Sequence, residues 1–514
     1  VKKTLKLTNL EKLAHLRVAC INNNLLPLVI AGLGILLRIV YYFSDRSLWL
    51  DEAALTLAII NTPWDNIYIP IYNGLPNSAP VGYAVLLKTV IFLGGTSEIA
   101  LRFVSIVFGT AAVCLFWRYL EENFNRKVSL TALLYFSLNP QLVYYSAEVK
   151  FYSIDVFSII LLLLLFSRFE KLTNARNAIV FTAFAMVLQW FSYVTIIVSV
   201  GMIAAAIFSK IVIEKKANPD AILFGIGCML MIHFFCYKFM FIDPINRTSH
   251  LYDFWVNAFA PFPKSMNSLS WYINFIQHFM ENPLGFLHIV FFSFIALLIG
   301  FYSCFKSNKI FFKSLFGIFL TSYCVSLFKM YPVYERLGLF LVPVVLIVIA
   351  MGLGYLLNKN KWGRVCGILL FFILLIVPLC DALHNVFSPF RPENMKPLVK
   401  RIMTTSNLNE CVYVYYGAVP AFEYYAKRYK LTNYIIPGCK DRTKFDNDIK
   451  KVVTECASSY SKVWILFTHV HSDSINDEEL ILKKLSEYGK RIEYFHEFAG
   501  ATLYKYEMSN TPIP

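Results

Sequence analysis

Charge is what this chain has least of. Only 16% of its 514 residues are Asp, Glu, Lys or Arg, against 57% hydrophobic and 17% aromatic. Soluble globular domains carry about 25% charged residues, so the composition excludes an ordinary soluble protein and reads as a polytopic membrane protein. Acidic residues are the scarcer sign, 33 against 48 Lys and Arg, for a net charge of +15. Nucleic-acid binding would gather that excess on one basic face with interleaved aromatics. Here Lys and Arg fall in short clusters between apolar runs, so nucleic acid is not an expected partner and the clusters read as orientation signals. The chain has no convincing Walker or Rossmann fingerprint and no internal repeat. Of its 11 cysteines, Cys20, Cys114, Cys228, Cys236, Cys304, Cys324, Cys366 and Cys380 lie in or beside apolar runs without paired metal-ligand spacing. They read as small core residues.

What is there is a series of long hydrophobic runs, at about 25–43, 98–117, 128–146, 151–167, 178–213, 221–242, 283–304, 310–328, 337–357 and 363–383. Nineteen residues of helix at 1.5 Å each span the roughly 30 Å hydrocarbon core. The run 178–213 is too long for one crossing and is expected to break near Ser192-Tyr193, giving eleven spans in a helical membrane module over 25–383. Val1 to Asn24 is polar and basic, so the first span is expected to act as an uncleaved anchor behind a cytoplasmic N-terminus. Pro80 to Gly94 is short, carries Lys88 and ends in Gly94-Gly95, which suits a helix lying along the membrane surface. Without a crossing there, the inner segments hold twenty Lys and Arg against seven in the outer ones; with a crossing the balance becomes ten against 16. The positive-inside rule selects the first arrangement. Loops 44–97 and 243–282, and the turns 147–150 and 331–336, then all face outward, as does the C-terminal region.

Three charged places on that face invite chemistry. The first is Ser47-Leu48-Trp49-Leu50-Asp51-Glu52-Ala53, with Trp49 suited to the interface. Asp51 and Glu52 have a plain alternative role as acidic residues in the first turn of a loop helix. The second is the turn with Glu148, Lys150, Tyr152 and Asp155, where ionisable groups are costly unless they pair or line a wet cavity. A simple Glu148 to Lys150 surface pair is the competing explanation. The third is Tyr334-Glu335-Arg336. Together they offer Arg and Lys for a phosphate and Asp as a base. The third outer loop contains an amphipathic piece over 270–280, and its His250 and His278 are candidate ligands or proton carriers.

From about His384 the composition shifts to a soluble domain, 384–514, of alternating strands and helices. Strands are expected over Cys411 to Ala418 and Lys462 to His469, a helix over Asp477 to Tyr488, and a hairpin from Arg491–Phe498 and Ala501–Met508. Cys439 and Cys456 are the candidate disulfide, leaving Cys411 unpaired. His469 and His471 form an H-x-H pair, but no acidic or cysteine partner stands at ligand spacing, so a loop end is the better reading than zinc.

The order W-x-D-E-A, P-x-G-Y-x-x-L-L-K, S-E-I-A-L-R (97–102), Y-S-x-E-x-K-x-Y and Y-x-R-L-x-L-F-L-x-P (334–343) resembles the protein O-mannosyltransferase and aminoarabinose transferase group. These are family 39-like enzymes of the GT-C glycosyltransferase superfamily, and the resemblance covers about residues 25–360. It implies inverting transfer of a sugar from a polyprenyl-phosphate donor to a lipid, glycan or protein acceptor at the outer face of a bacterial cytoplasmic membrane. By the same resemblance Asp51 is the catalytic base and Glu52 orients the acceptor or a cation. Glu148, Lys150 and Tyr152 match an E-x-R-x-Y pattern, with Lys replacing Arg and losing its fork geometry. Arg336, beside Tyr334, neutralises the departing phosphate, with Leu337 replacing the usual Tyr. Asn77-Ser78-Ala79-Pro80 stands where relatives carry acidic, basic or His residues, so no metal site is carried over and a divalent cation is left open. The rival reading is a lipid or glycan transporter or flippase, for which eleven spans are ordinary; it favours internal repeats and midplane charges. A non-catalytic scaffold is the third.

Overall fold

The computed structural model describes residues 9–68, 70–72, 75–76, 79–172, 175–209, 225, 254–407, 410–457, 462–470, 476–497 and 500–509. The expected span 221–242, apart from residue 225, lies outside the described residues, as do Asn77, Ser78, His250 and His471. The chain divides into two compact units. One comprises Val1–Phe43, Ser78–Leu87 and Arg102–Pro389; the other Ser44–Asn77, Lys88–Leu101 and Phe390–Pro514. The C-terminal domain therefore begins at Phe390 rather than His384 and takes most of the first loop with it, because the helix Lys361–Phe387 runs on through His384.

In the first unit, seven helical stretches among the described residues are long and apolar enough to cross a membrane. The expected span 128–146 is interrupted, as Arg126–Leu138 and Pro140–Tyr145. Proline disfavours helical backbone in the residue before it, and Asn139 sits at ψ 120° with its Oδ1 accepting from Leu142 N at 2.8 Å. The same side chain donates from Nδ2 to Leu284 O at 2.9 Å. The run 178–213 breaks as expected, between the helices Ala175–Gln189 and Val194–Phe208. There the Trp190 carbonyl leaves the helix and accepts from Gly82 N at 2.6 Å. Only glycine fits at 82, since a Cβ would sit 2.6 Å from the Phe191 ring.

The membrane helices are held close by small residues, as expected where lipid offers no hydrophobic drive between helices. Gly201 on Val194–Phe208 and Gly317 on Lys309–Leu327 lie back to back: a Cβ on Gly317 would come 2.0 Å from Gly201 O. Gly300 and Gly352 bring Val290–Ser307 against Val342–Leu357 in the same way. Polar contacts gather the basic helix ends. Arg168 donates to Glu122 at 2.7 Å, Lys313 pairs with Glu170 at 3.3 Å, Asn308 donates to Asn123 O at 3.2 Å and Lys127 to Asn358 at 2.7 Å. The amphipathic piece expected over 270–280 is the helix Met266–Glu281, N-capped by Ser265.

The second unit holds the helix Leu50–Asn61, a small ribbon of β1 (Ile71–Tyr72) and β2 (Leu75–Pro76), and a five-stranded sheet. The sheet order is β4-β3-β5-β7-β6, from β3 (Glu410–Val414), β4 (Tyr434–Pro437), β5 (Lys462–Phe467), β6 (Gly489–Glu497) and β7 (Ala501–Met508). β3 pairs parallel with β4 and β5, and the hairpin β6–β7 adds antiparallel to β5. The strand beginning at Cys411 ends at Val414, earlier than Ala418, because Tyr416–Ala418 turn helically into Val419–Tyr429. The expected helix is Asp477–Leu485, capped by Asn476.

The disulfide differs from expectation. Cys411, not Cys439, pairs with Cys456. Cys411 lies in fully buried β3, in one apolar cluster with Val452 and Cys456. Cys439 follows β4 in a loop, its N–H donating to Asp448 Oδ2 at 2.7 Å, and its thiol is free.

Candidate active site

Asp51 and Glu52 open the helix Leu50–Asn61, where their charges favour the positive dipole end. Ala53, Leu55, Leu57, Ala58 and Ile59 bury almost all of that helix around them. Glu52 is 1% exposed, and Asp51 is half-buried. The segment leading into the helix is clasped to the C-terminal domain. Ser47 Oγ donates to Asn394 Oδ1 at 3.0 Å and accepts from Lys396 N at 3.0 Å. Leu48 N donates to the Tyr425 hydroxyl at 2.8 Å. Lys396 Nζ bonds Asp45 and, at 2.9 Å, Glu98. At the far end, Lys88 Nζ donates to Ile59 O at 2.9 Å and to Thr62 O, placing a cation on the helix's free carbonyls. Partial burial lowers the Lys88 pKa from its ordinary value.

Glu148, Lys150 and Tyr152 occupy a tightly held turn in the other unit. The Ser105 hydroxyl faces the carbonyls of Glu148 and Lys150, the latter at 3.0 Å. Ser153 Oγ donates to Tyr145 O at 2.8 Å, and Lys150 N to Glu148 O at 2.8 Å. Lys150 is only 8% exposed, yet its ammonium has no ion-pair partner among the described residues. The expected alternative of a Glu148 to Lys150 surface pair therefore does not describe this turn: both residues are buried.

Arg336 and Tyr334 come to the same place from the start of the tenth expected span. Tyr145, the first residue of the Y-S-x-E-x-K-x-Y motif, lies in the electrostatic field of Glu148, Tyr152, Arg336 and Glu335 together. Its ring meets that of Tyr152 edge-on at 5.1 Å. The Arg336 guanidinium sits over the Trp255 ring at 5.6 Å. Glu335 has a left-handed backbone, φ 44°, a conformation non-glycine residues keep only under constraint and often near functional sites. The His278 ring stacks on Tyr334 at 4.8 Å, with its Nε2 3.4 Å from Glu335 Oε1. Burial, with the Glu335 charge added, raises the Tyr334 pKa. Tyr331 closes the group, its hydroxyl donating to Leu337 O at 3.2 Å. Nearby, Trp271, Phe275, Phe279, Tyr323 and Val333 line an apolar cavity of about 260 Å³.

The arrangement in this unit is thus a lysine on a buried turn, an arginine and several phenols beside an apolar cavity. Its chemistry suits an amphiphile with an anionic head. The first of the comparisons with known proteins is a family match: residues 78–237 fit the family described as dolichyl-phosphate-mannose-protein mannosyltransferase. Among solved structures, ArnT from Cupriavidus metallidurans in the apo state superposes with TM-score 0.53 at 11% identity, over 95% of this chain and 98% of that one. The chain has the GT-C fold. ArnT bound to undecaprenyl phosphate gives TM-score 0.52 at 11% identity, covering 95% and 99%. The apo oligosaccharyltransferase of Archaeoglobus fulgidus gives 0.51 at 13% identity, over 95% of this chain and 75% of that one. No curated protein sequence matches the chain. The resemblance read from the motifs and the helical GT-C architecture both stand. For a divalent cation, no three His, Cys, Asp or Glu side chains cluster at metal-binding spacing among the described residues, so none of them is assigned to one.

Proposed function

We propose that this chain is an inverting membrane glycosyltransferase that moves a sugar from a polyprenyl-phosphate-linked donor to an acceptor at the outer membrane face. The observation that carries the reading is Lys150, a residue only 8% exposed whose ammonium has no carboxylate partner among the described residues, in a unit where Arg336 and Glu148 both act electrostatically on Tyr145. A lysine held in a buried turn gains from an anionic partner, and a lipid phosphate supplies one. The family match over 78–237 and the fold shared with ArnT support a lipid-linked donor. So does ArnT's own complex with undecaprenyl phosphate. The apolar cavity beside Tyr334 suits the first isoprene units of the tail.

In this reading the Asp51 carboxylate accepts the proton of the acceptor hydroxyl as its oxygen bonds to the anomeric carbon. The bond from that carbon to the phosphate oxygen breaks, and its electron pair leaves on the phosphate. Lys150 and Arg336 stabilise the charge developing there. One displacement inverts the anomeric centre. Glu52 orients the acceptor, and Tyr152 and Tyr334 line the donor site.

The test is release of free polyprenyl phosphate by purified protein in detergent, from a panel of polyprenyl-phosphate sugars, for wild type and Asp51→Asn. Release should fall roughly 10²–10⁴-fold in the variant, the usual weight of a general base, while donor binding persists. Equal release from both proteins would remove Asp51 from the chemical step, and no release from any donor would favour transport.

A further inference from the structure

The helix that carries Asp51 lacks the side chain that ordinarily closes such an end. Trp49, at the N-cap position, is extended (φ −88°, ψ 176°) and makes no side-chain cap bond. Ser, Thr, Asp or Asn would accept from a first-turn N–H there. The Leu50 N–H donates instead to Glu393 Oε2 at 3.2 Å, a carboxylate 343 positions further along the chain. Glu393 is 4% exposed, and its other oxygen lies 3.0 Å from His469 Nδ1.

His469 is itself fixed. It follows β5 with a left-handed backbone, φ 51°, which surroundings must over-determine. A Cβ at Gly417 would sit 2.9 Å from its carbonyl, so the turn after β3 packs directly on it. Its ring lies 6.5 Å from that of Trp49. The carboxyl ends of the parallel strands β3 and β5 thus hold a histidine that holds a carboxylate that closes the Asp51 helix. The cap is charged, which suits the dipole and makes its hydrogen bond stronger than a neutral one.

We propose that the C-terminal sheet domain is a positioning device for the reaction: Glu393, oriented by His469, supplies from a distant part of the chain the N-cap that Trp49 cannot, and so fixes the aim of the Asp51 carboxylate. This rests on the reading of Asp51 as base. Glu393 and His469 are positioning residues and touch no substrate in this scheme. The role explains why the domain clasps 45–50 through Ser47, Leu48 and Leu50 in succession.

The experiment compares wild type, Glu393→Ala, Glu393→Gln and His469→Asn in the full chain, by amide hydrogen exchange over 49–54 and by kcat and KM for a polyprenyl-phosphate sugar. Glu393→Ala should speed first-turn exchange roughly five- to tenfold, the weight of a lost cap. It should lower kcat roughly 10–10²-fold with donor KM unchanged, as expected of a misaimed catalytic group. Glu393→Gln, whose amide oxygen still accepts from Leu50, should recover most of both, and His469→Asn should fall between. Unchanged exchange in β5 and β7 separates a lost cap from an unfolded domain, and if Glu393→Ala does not fold, His469→Asn carries the test. First-turn exchange at the wild-type rate would overturn the cap; faster exchange with unchanged kcat would overturn positioning. A wild type that releases no polyprenyl phosphate would overturn the reaction and this role in it, with exchange still reporting whether Glu393 is a cap.

Discussion

Lys150 is where a single side chain says most about the substrate. A lysine offers a point charge where an arginine would offer a planar fork, so in the proposed reaction Lys150 would recognise phosphate by charge rather than by paired geometry. Lys150→Met should cost about 1.5–3 kcal/mol of donor interaction, the range for hydrogen bonds to charged groups, and raise the KM for a polyprenyl-phosphate sugar by about 10- to 100-fold. Lys150→Arg should retain binding. A KM unchanged in Lys150→Met would place the phosphate elsewhere. Glu148, Lys150, Tyr152 and Arg336 stand out in the sequence as candidates because they lie in short motifs at the ends of apolar runs. His278 was readable only as a candidate ligand or proton carrier, because its stacking on Tyr334 and its approach to Glu335 depend on residues far along the chain. The cysteine pairing failed for a similar reason. Spacing offered three cysteines outside the membrane runs, but which two meet depends on the burial of β3 against Val452 and Cys456.

Elements show the same division between what runs along the chain and what crosses it. The break between Ala175–Gln189 and Val194–Phe208 was readable from length alone, whereas that at Asn139-Pro140 was overlooked because the apolar run continues through it. The Asn-Pro pair is nevertheless a punctuation signal. Helix pairing through glycine is not written in either run alone, since it depends on Gly201 and Gly317 facing each other across two helices. Gly317→Val would drive a side chain into the Gly201 carbonyl. It should destabilise the membrane unit by about 1–3 kcal/mol or more, as overpacking does, read as a lower midpoint and reduced folded yield in detergent. Gly32→Val, where a Cβ meets nothing within 4 Å, is the control and should be near neutral.

The clasp on residues 45–50 carries its own pH dependence. The hydrogen bond from Lys396, outweighing partial desolvation, lowers the Asp45 pKa. Burial works against the Lys396 ammonium, but the carboxylates of Asp45 and Glu98 outweigh it and raise the Lys396 pKa. A depressed carboxylate contributes stability above its unfolded value, roughly pH 4, and loses it as pH falls through the folded one. A raised lysine contributes below its unfolded value, roughly pH 10.4, and loses it as pH rises through the folded one. The stability gap between wild type and Lys396→Met should therefore be widest between about pH 5 and 9, on the order of 2 kcal/mol, and narrow at both extremes. Asp45 adds little to that figure because its side chain is 81% exposed. Thermal unfolding of both proteins across that range checks it, and a gap independent of pH would show that the clasp is held by packing alone.

At the scale of the membrane unit, charge sorting written in the sequence reappears as geometry. The basic segments around 118–127, 168–177, 306–313 and 359–364 were assigned to one side by counting Lys and Arg. In the fold, Glu122 meets Arg168, Glu170 meets Lys313, Asn123 meets Asn308 and Lys127 meets Asn358. These contacts gather the same segments at one end, while the turns with Glu148 and Arg336 gather around Tyr145. A count of charges thus anticipated which loops would be neighbours, although each contact spans tens to hundreds of residues. The positive-inside rule predicts a cytoplasmic location for the basic end. A reporter active only outside the membrane should be silent when fused after Asn308 or Asn360 and active when fused after Pro389. Activity at Asn308 and silence at Pro389 would invert the protein and bring the Glu148 and Arg336 turns, together with any lipid-phosphate donor they bind, to the cytoplasmic face.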